Sequence, residues 1–599
     1  MKKTSFRKTK VFVSLLLLIF LGFFLWLQPR NAAEETLFFG GTILTLEPGP
    51  STGPTPEALL MRGDRIIAVG PLKAVRAAAT GSPEEINLAG KTLMPGLIEP
   101  HSHPLATALL GEAIDVSGFT NNSRAQIMTR LKDGIENTPS SRWALAFGWD
   151  PVMMDDLHAP TLAELDALSP DKPLLILTQM MHDAYANSAA LAAAGITQAT
   201  PNPLGAEFVK GPNGKLTGTV REVAAIAVMF AAMPAPPESA PEFLLARQYQ
   251  KFARAGYTTV GIVGPVGRAT DLIATMQYIA TQPDTAIRTL IYALPPQLEN
   301  GPNAIAGGPQ NHTVPGGVIG VKFWMDGSPF AGGAAFAEPY EDSALVRNRL
   351  HLGPGHMSTL NYTEQEFEAA YRKFHALGYQ IAVHVQGERA VEQVLDVAER
   401  ILAENPRADH RHRLEHNALI TKAQLQRALR LGITTSFFVD HVYFYGHALP
   451  DLVGTVRTAR YMPVRTALTM GHKITVHTDN PSSPIGAMRV MQTLRARKAR
   501  ASGTVIGPDQ RLSPTQALEA MTINAAWQLG IEKEAGSLKP GKSADLLILS
   551  ANPLETTDEQ LRSLKVIGTW IKGQPADTRP LTPTIFKTGF SLMLDMVFG

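Results

Sequence analysis

Two histidines separated by one residue end a short apolar stretch near residue 100. The stretch reads Thr92-Leu-Met-Pro-Gly-Leu-Ile-Glu-Pro-His-Ser-His103. On a β-strand, residues i and i+2 point to the same face, so His101 and His103 can converge on one metal ion. Neutral imidazole suits zinc and similar borderline metals. One such pair is weak evidence, because the chain holds 16 histidines and a second pair of this spacing, His410 and His412.

Strand-like segments alternate with helical patterns through the middle of the chain. Eight such alternations predict an α/β fold, the (β/α)8 TIM barrel, in which catalytic groups stand at the C-terminal ends of the strands. Helical patterns at 364–377 and 390–402 are examples of the intervening segments. The strand candidates are 92–98, 258–263, 287–294, 317–324, 379–384, 413–416, 433–438 and 473–477.

Side chains with metal-binding or acid–base chemistry fall at several of these strand ends. Together they offer nitrogen and oxygen ligands on the one face of a barrel where an active site is expected. His410 and His412 precede their strand, so we interpret that pair as structural. The residues at the predicted strand ends are His101, His103, Lys322, His384, His416 and Asp479.

The two ends of the chain are rich in short strands. Residues 34–91 and 531–578 are predicted to form one small β-sandwich domain composed of N- and C-terminal segments. The barrel is predicted over 92–530, with an insertion at 104–250 over the barrel mouth, because that stretch is too long for one crossover. The tail, 579–599, is amphipathic; we expect a packing helix, with membrane contact as the alternative.

Composition excludes several classes of protein. The chain of 599 residues has no cysteine, which rules out disulfides, thiolate nucleophiles and Cys-ligated zinc. Its net charge is +2, and no basic surface pattern with interleaved aromatic residues indicates nucleic-acid binding.

The first 33 residues have the composition of a targeting segment. They hold six basic residues and no acidic residue, and a 17-residue stretch without charge runs from Val11 to Leu27. That length suits a spanning helix. We expect an uncleaved signal anchor that places the rest of the chain on the periplasmic or extracytoplasmic side of a bacterial inner membrane. A cleaved signal peptide and secretion is the alternative.

Beyond these patterns, the chain resembles the amidohydrolase superfamily, and within it the amidohydrolase family 3 (YtcJ-like) group of metal-dependent hydrolases, over about residues 37–575. The resemblance implies one or two divalent ions, zinc in the first place. His101, His103 and Asp479 would hold one ion, while His384 and His416 would hold the other. Lys322, carboxylated by CO2, would bridge them; a salt-bridge lysine beside a single metal is the alternative. The resemblance is carried by 94–103, 181–188, 321–328, 383–389, 414–416, 477–481, 522–526 and 536–545.

The resemblance also implies a reaction. A metal-bound hydroxide would cleave a C–N bond of the amide type, such as an N-acyl or N-formyl bond in a small molecule. Asp479 would act as general base and then acid, and His182 would reach the substrate from the insertion. The alternatives are hydrolysis of an ester or lactone, deamination of a ring, and a non-catalytic membrane-tethered binding protein. A homo-oligomer is possible. Candidate substrate-pocket residues are Trp149, Trp324, His441, Tyr443, Tyr445 and His447.

Overall fold

The computed structural model describes residues 28, 32–47, 55–203, 206–265, 272–299, 312 and 314–598. Within these ranges the strands form four sheets. The strands are β1 Glu35–Phe39, β2 Thr42–Ile43, β3 Ala58–Arg62, β4 Arg65–Gly70, β5 Glu84–Asn87, β6 Thr92–Pro95, β7 Leu97–Ser102, β8 Ile114–Asp115, β9 Ala144–Trp149, β10 Leu174–Thr178, β11 Asp183–Ala186, β12 Glu207–Lys210, β13 Leu216–Arg221, β14 Tyr257–Val263, β15 Arg288–Ala293, β16 Gly317–Trp324, β17 Gln380–Val385, β18 Arg413–His416, β19 Thr434–Phe437, β20 Thr475–Val476, β21 Leu546–Leu549, β22 Val566–Ile571 and β23 Gln574–Pro575.

Helices connect most of the strands. Several begin with a side-chain cap that the sequence encodes; for example, the Thr363 hydroxyl accepts from the Glu366 backbone N–H in a capping box. The helices span Leu72–Ala77, Pro104–Leu110, Arg124–Asn137, Leu162–Leu168, Ser188–Ala193, Val223–Ala232, Ala240–Arg254, Leu272–Ala280, Pro295–Glu299, Glu364–Ala376, Glu388–Glu404, Lys422–Arg430, Asp440–Tyr445, Leu449–Ala459, Val464–Thr469, Ala487–Ala496, Pro514–Ala520, Ile523–Gln528 and Pro583–Phe598.

The predicted TIM barrel is confirmed. Its eight strands are β7 and β14 to β20, and each pairs in parallel with its neighbour in chain order. The first and last strands are joined just beyond β20, where the Thr478 backbone N–H donates to the Glu99 carboxylate over 3.1 Å. The backbone N–H of His103 also donates to the Asn480 carbonyl over 2.9 Å. The C-terminal ends of all eight strands therefore meet around one mouth.

The first predicted strand, 92–98, is divided between two domains. Residues Thr92–Pro95 form β6, which pairs with β2 and β21 outside the barrel, whereas the first barrel strand is β7, Leu97–Ser102. Gly96 separates them, and a Cβ atom there would lie 2.1 Å from the Thr258 hydroxyl oxygen. A continuous apolar run hides this change of sheet, because both segments are buried.

The β-sandwich contains strands from both ends of the chain. One sheet has the order β4-β3-β1-β5, and the other has the order β2-β6-β21-β22-β23. A shared apolar core that includes Phe38, Leu93 and Leu546 lies between them. The β21 strand lies directly against β6, so the C-terminal segment holds the strand that leads into the barrel.

The insertion forms a sheet of its own, with the order β12-β13-β11-β10-β9-β8. Its inner strands β9 and β10 pair in parallel. The Gln179 side-chain amide donates to the Pro481 carbonyl over 2.8 Å, and the Tyr445 hydroxyl donates to the Asp150 carboxylate over 2.7 Å. Both contacts join the insertion to loops that follow barrel strands, so the insertion lies over the mouth, as predicted.

The tail forms the helix Pro583–Phe598. The Ser239 backbone N–H donates to the Asp595 carboxylate over 3.0 Å, at the start of the helix Ala240–Arg254. The packing expected of this tail is therefore present on one side, while Phe590 is 50% and Met596 58% exposed on the other. In the part of the chain that the structure describes, no helix has both the length and the apolar character to cross a membrane. The stretch 11–27, expected to be a signal anchor, lies outside the described residues.

Candidate metal centre

Three of the predicted ligands meet at the mouth of the barrel. The Asp479 Oδ1 atom lies 3.3 Å from His101 Nε2 and 3.1 Å from His103 Nε2. His101 is on β7, His103 follows it, and Asp479 follows β20. The first and last strands of the barrel therefore bring together ligands that are separated by most of the chain.

Neighbouring groups fix which nitrogen of each imidazole carries a proton. The His101 Nδ1–H donates to the Glu415 carboxylate over 2.6 Å, and the His103 Nδ1–H donates to the Gly264 carbonyl over 3.0 Å. In the neutral imidazole, the Nε2 atoms then carry lone pairs. Both lone pairs face the carboxylate oxygen of Asp479.

These three atoms fit a bound cation. Lone pairs on His101, His103 and Asp479 face one another with no proton between them, and His101 Nε2 and Asp479 Oδ1 are buried without a hydrogen-bond partner among the described residues. Ligands about 2.0–2.1 Å from a tetrahedral ion lie about 3.3–3.4 Å apart. The separations of 3.3 and 3.1 Å are close to that value. A divalent cation would satisfy all three atoms.

The other two predicted histidine ligands are adjacent. The ring centres of His384 and His416 lie 4.4 Å apart. The His384 Nδ1–H donates to the Asp326 carboxylate over 3.0 Å, while His416 Nδ1 lies 3.1 Å from the Nε2 atom of His477. His416 also lies 4.9 Å from His101, centre to centre, so the two sets of ligands form one cluster.

Lys322 lies on β16 with its amine in this cluster. The residue is fully buried, and Nζ has no hydrogen-bond partner among the described residues. Burial lowers the pKa of Lys322 to about 8, although the Glu415 and Asp479 carboxylates act in the opposite direction. An unpaired buried amine with a lowered pKa is available for reaction as a nucleophile.

His182 extends from the insertion towards the barrel mouth. A Cβ atom on Gly327, which follows β16, would lie 3.3 Å from the Cε1 atom of His182. The His182 Nδ1 atom lies 3.0 Å from the Glu222 carboxylate. Burial alone would lower the pKa of His182, but the Glu222 carboxylate raises it above its ordinary value. Met181 and Glu222 both have positive φ angles, +60° and +66°, so backbone strain accompanies the placement of this histidine.

The pocket residues predicted after β19 divide between two faces of a helix. In the helix Asp440–Tyr445, His441 and Tyr445 are four residues apart and share one face. There His441 packs on Phe330 at 4.6 Å and Tyr445 stacks on Phe330 at 3.8 Å, between ring centres. Burial lowers the pKa of His441 to about 3.

Tyr443 lies on a different face of this helix from His441 and Tyr445. Its side chain lies on the opposite face, where the hydroxyl accepts from Arg562 of the C-terminal segment over 2.6 Å. In a helix, residues two apart do not share a face. Tyr443 therefore joins this helix to the C-terminal segment, and its role in substrate binding stays a prediction.

The remaining pocket candidates lie in three different places. Trp149 is fully buried in the insertion, with its ring edge-on to Tyr185 at 6.1 Å. Trp324 is half-buried and its ring lies 5.3 Å from the Lys322 amine, which places it at the mouth. His447 lies beside the loop of the insertion that includes Asp155.

The sequence did not assign a role to the residues that hold the ligands. Glu415 orients His101 and is itself bound by the fully buried Arg413, whose Nε donates to it over 2.6 Å. Asp326 accepts from His384 and from the backbone N–H groups of Gln386 and Gly387. These residues are in or beside the motifs at 321–328 and 414–416, but the long-range contact that defines each role is visible only in the structure.

The histidine pair at 410 and 412 is structural, as expected. The His412 Nδ1 atom accepts from the Ile381 backbone N–H over 2.9 Å, and the His410 Nε2–H donates to the Leu431 carbonyl over 2.9 Å. Both rings precede β18 and lie at the opposite end of the barrel from the metal ligands.

Comparisons with known proteins identify the family of the chain. The model of the amidohydrolase family matches residues 84–577. An N-substituted formamide deformylase of Arthrobacter pascens is 27% identical over 86% of this chain and 94% of its own length. The putative amidohydrolase YtcJ of Bacillus subtilis is 26% identical over 90% of this chain and 99% of its own. A structure of an uncharacterized metal-dependent hydrolase from Pyrococcus horikoshii shares the fold, with a TM-score of 0.69, 21% identity and coverage of 88% of this chain and 99% of its own.

The chain belongs to the amidohydrolase family. Its barrel, its β-sandwich and the convergence of histidine and aspartate at the barrel mouth make it a metal-dependent hydrolase. It is a hydrolase that acts on carbon–nitrogen bonds other than peptide bonds.

Proposed function

We propose that this chain hydrolyses an amide-type C–N bond, such as an N-formyl or N-acyl bond, in a small molecule. The observation that carries the proposal is the meeting of His101, His103 and Asp479 as three lone-pair donors without a proton between them. The similarity to an N-substituted formamide deformylase supports the choice of bond.

Different residues around the centre have different roles in hydrolysis. When bound, a divalent ion supplies a water of lowered pKa and polarises the substrate carbonyl. Asp479 is placed to accept the proton of the attacking water and to return it to the leaving nitrogen. His182, whose pKa is raised by the Glu222 carboxylate, is placed to donate a hydrogen bond to the carbonyl oxygen as negative charge develops there.

We further propose that the ions are zinc and that Lys322 carries a carbamate. Imidazole nitrogen and carboxylate oxygen are ligands that zinc accepts. The buried, unpaired Lys322 amine supports the carbamate, because a neutral amine can attack CO2 through nitrogen and lose a proton to form it. The product would offer two oxygens to the cluster, whereas an ammonium would repel cations.

Metal analysis combined with a substrate panel tests the reaction. We expect about two zinc-like ions per chain, and hydrolysis of N-formyl or N-acyl compounds in preference to matched esters and aminated rings. Asp479→Asn should lower kcat by a factor on the order of 10²–10⁴, because the proton acceptor is lost. The proposal fails if the purified protein has no metal and shows no activity after metal reconstitution.

The carbamate has a separate test. Lys322→Ala should lose most of the activity and at least one ion, and short carboxylic acids added to the buffer should restore part of both by supplying two oxygens. Lys73→Ala, which changes an exposed lysine, is the matched control. A Lys322→Ala variant with full metal content would contradict the bridging role.

We also propose that the N-terminal segment holds the enzyme at the periplasmic face of the inner membrane. The Gln28 carbonyl accepts from Arg579 over 3.0 Å, four residues before the tail helix whose Phe590, Met593 and Met596 are exposed. The exposed apolar side chains of this tail helix support a membrane nearby. A periplasmic reporter fused after residue 35 should be active, and the protein should sediment with membranes; a reporter active only in the cytoplasm refutes this topology.

A further inference from the structure

The four predicted histidine ligands share a pattern at their Nδ1 atoms. His101 donates to the Glu415 carboxylate, His103 to the Gly264 carbonyl and His384 to the Asp326 carboxylate. In each case Nδ1 makes a hydrogen bond to a neighbouring residue, and Nε2 is the ring nitrogen left to bind a metal ion. Such partners fix the orientation and the tautomer of metal-binding histidines.

His416 follows the same pattern with an unusual partner. Its Nδ1 atom lies 3.1 Å from Nε2 of His477, and Nδ1 of His477 lies 2.7 Å from the Ser436 hydroxyl. We propose that His477 is a positioning residue that holds His416 in the orientation and tautomer required for metal binding. This inference rests on the metal centre of the proposed function.

The hydrogen bonds that join His416, His477 and Ser436 can run in two directions, which differ in the ring nitrogens that carry protons. If His416 Nδ1–H donates to His477 Nε2, then Nε2 of His416 keeps a lone pair for the metal, and His477 Nδ1–H donates to Ser436. In the opposite direction, a neutral His416 would carry its proton on Nε2 and could not bind an ion there. Metal binding by Nε2 of His416 therefore selects a neutral His477 that is protonated on Nδ1.

Packing holds the ring of His477 in place. The ring stacks on His101 at 4.7 Å and on Phe438 at 5.5 Å, between ring centres, and the residue is only 1% exposed. Its backbone N–H donates to the Phe437 carbonyl over 3.2 Å, which extends the pairing of β19 and β20. A ring packed against two other rings can transmit its orientation to His416.

Direct coordination by His477 is the competing role. One ring nitrogen each of His101, His416 and His477 lie within 4.8 Å of one another, so a metal between them is geometrically possible. The hydrogen bond argues against it, because a His477 Nε2 lone pair that accepts the His416 proton is not available to an ion.

Two substitutions at position 477 separate these roles. His477→Gln places an amide oxygen near the position of Nε2 and can still accept from His416, whereas His477→Leu has similar bulk and no acceptor. For His477→Leu we expect affinity for one of the two ions to fall about 10–100-fold, as for other partners of metal ligands. His477→Gln should stay within a few-fold of the wild type, and Ser436→Ala, which keeps the imidazole, should lie between them.

The readouts are metal stoichiometry against a chelator series and the visible absorption of the cobalt-substituted protein, with circular dichroism to confirm folding. Wild-type affinity in folded His477→Leu overturns the inference while leaving the proposed function intact. Equal loss in the Gln and Leu variants with a changed cobalt spectrum also overturns it, in favour of direct coordination. If His477→Leu does not fold, Ser436→Ala with undiminished affinity overturns it. A wild-type protein that binds no metal overturns the proposed function itself, and this inference with it.

Discussion

At the scale of single residues, the centre depends on a buried ion pair that does not touch the metal. Arg413 and Glu415 are both fully buried and joined over 2.6 Å, and Glu415 in turn holds His101. Removing one partner of a buried pair leaves an uncompensated charge. Arg413→Leu should therefore lower the free energy of unfolding by about 3–5 kcal/mol, measured by urea denaturation. Arg430→Leu, an exposed arginine of the barrel, is the control and should change it little.

The pair of His182 and Glu222 predicts a change in pH dependence. Since the Glu222 carboxylate raises the pKa of His182, Glu222→Gln should lower that pKa. If protonated His182 is the active form, the alkaline decline of kcat/KM should begin at lower pH in Glu222→Gln. The control is Glu207→Gln, which removes an acid that is paired with Arg221 instead. An alkaline limb that stays in place in Glu222→Gln would contradict this role.

At this scale the sequence predicted which candidate ligands would lie close together, but not the residues that hold them. His101, His384 and Asp479 were predictable because each falls at or just after an apolar strand of a repeating fold. Glu415 was not, because its contact with His101 joins residues 314 positions apart, and no periodicity in the sequence encodes that distance.

At the scale of elements, the helix Asp440–Tyr445 predicts different effects for two tyrosines. Tyr445→Phe removes the hydroxyl that donates to the buried Asp150 at the edge of the pocket, so KM should rise on the order of tenfold. Tyr443→Phe should leave kcat/KM nearly unchanged and cost about 1 kcal/mol of stability, because its hydroxyl only accepts from Arg562. Equal effects of both substitutions on KM would contradict the division into two faces.

The histidines at the other end of the barrel predict a loss of stability in acid. Burial lowers the pKa of His410 to about 4 and also lowers those of His375 and His412. The unfolded chain, with a pKa of about 6.5, therefore binds protons first as the pH falls. The contribution of His410 to stability is complete only well above pH 6.5, and it should fall by about 2 kcal/mol by pH 5. His410→Asn, which keeps an acceptor for the His412 backbone N–H, should reduce the slope of the thermal midpoint against pH.

The sequence predicts a helix or strand well where the spacing of its apolar residues and the length of the segment indicate the same kind of element. The helix Glu364–Ala376 differs by one residue from its prediction at 364–377, because a capping box marks its start. The sequence predicts one strand over 92–98 because the residues on both sides of Gly96 are apolar. Polarity therefore does not mark the change from β6 to β7 at Gly96.

At the scale of the whole molecule, the two ends of the chain form one β-sandwich, and neither end can form it alone. A chain ending at residue 530 lacks β21, the neighbour of β6, and exposes apolar residues of the sandwich core. We expect this chain to aggregate, whereas a chain ending at residue 578 keeps both sheets of the sandwich and should remain folded and active. The yield after detergent extraction and the activity of the two truncations check this, and a folded, active 530-residue chain would show that the sandwich does not support the barrel.

The position of β6 also sets an order of events during synthesis. Only Gly96 separates this strand from β7, which carries His101, and β6 gains its partner β21 when residue 549 has been made. His101, the first candidate ligand to be translated, therefore follows a strand whose partner β21 is among the last to be made. Asp479 is also translated late. Non-local pairing of this kind is slow to form. Metal acquisition should therefore be a late step in maturation, after release of the chain, and a newly made chain should pass through a folded-barrel stage that is still empty of metal.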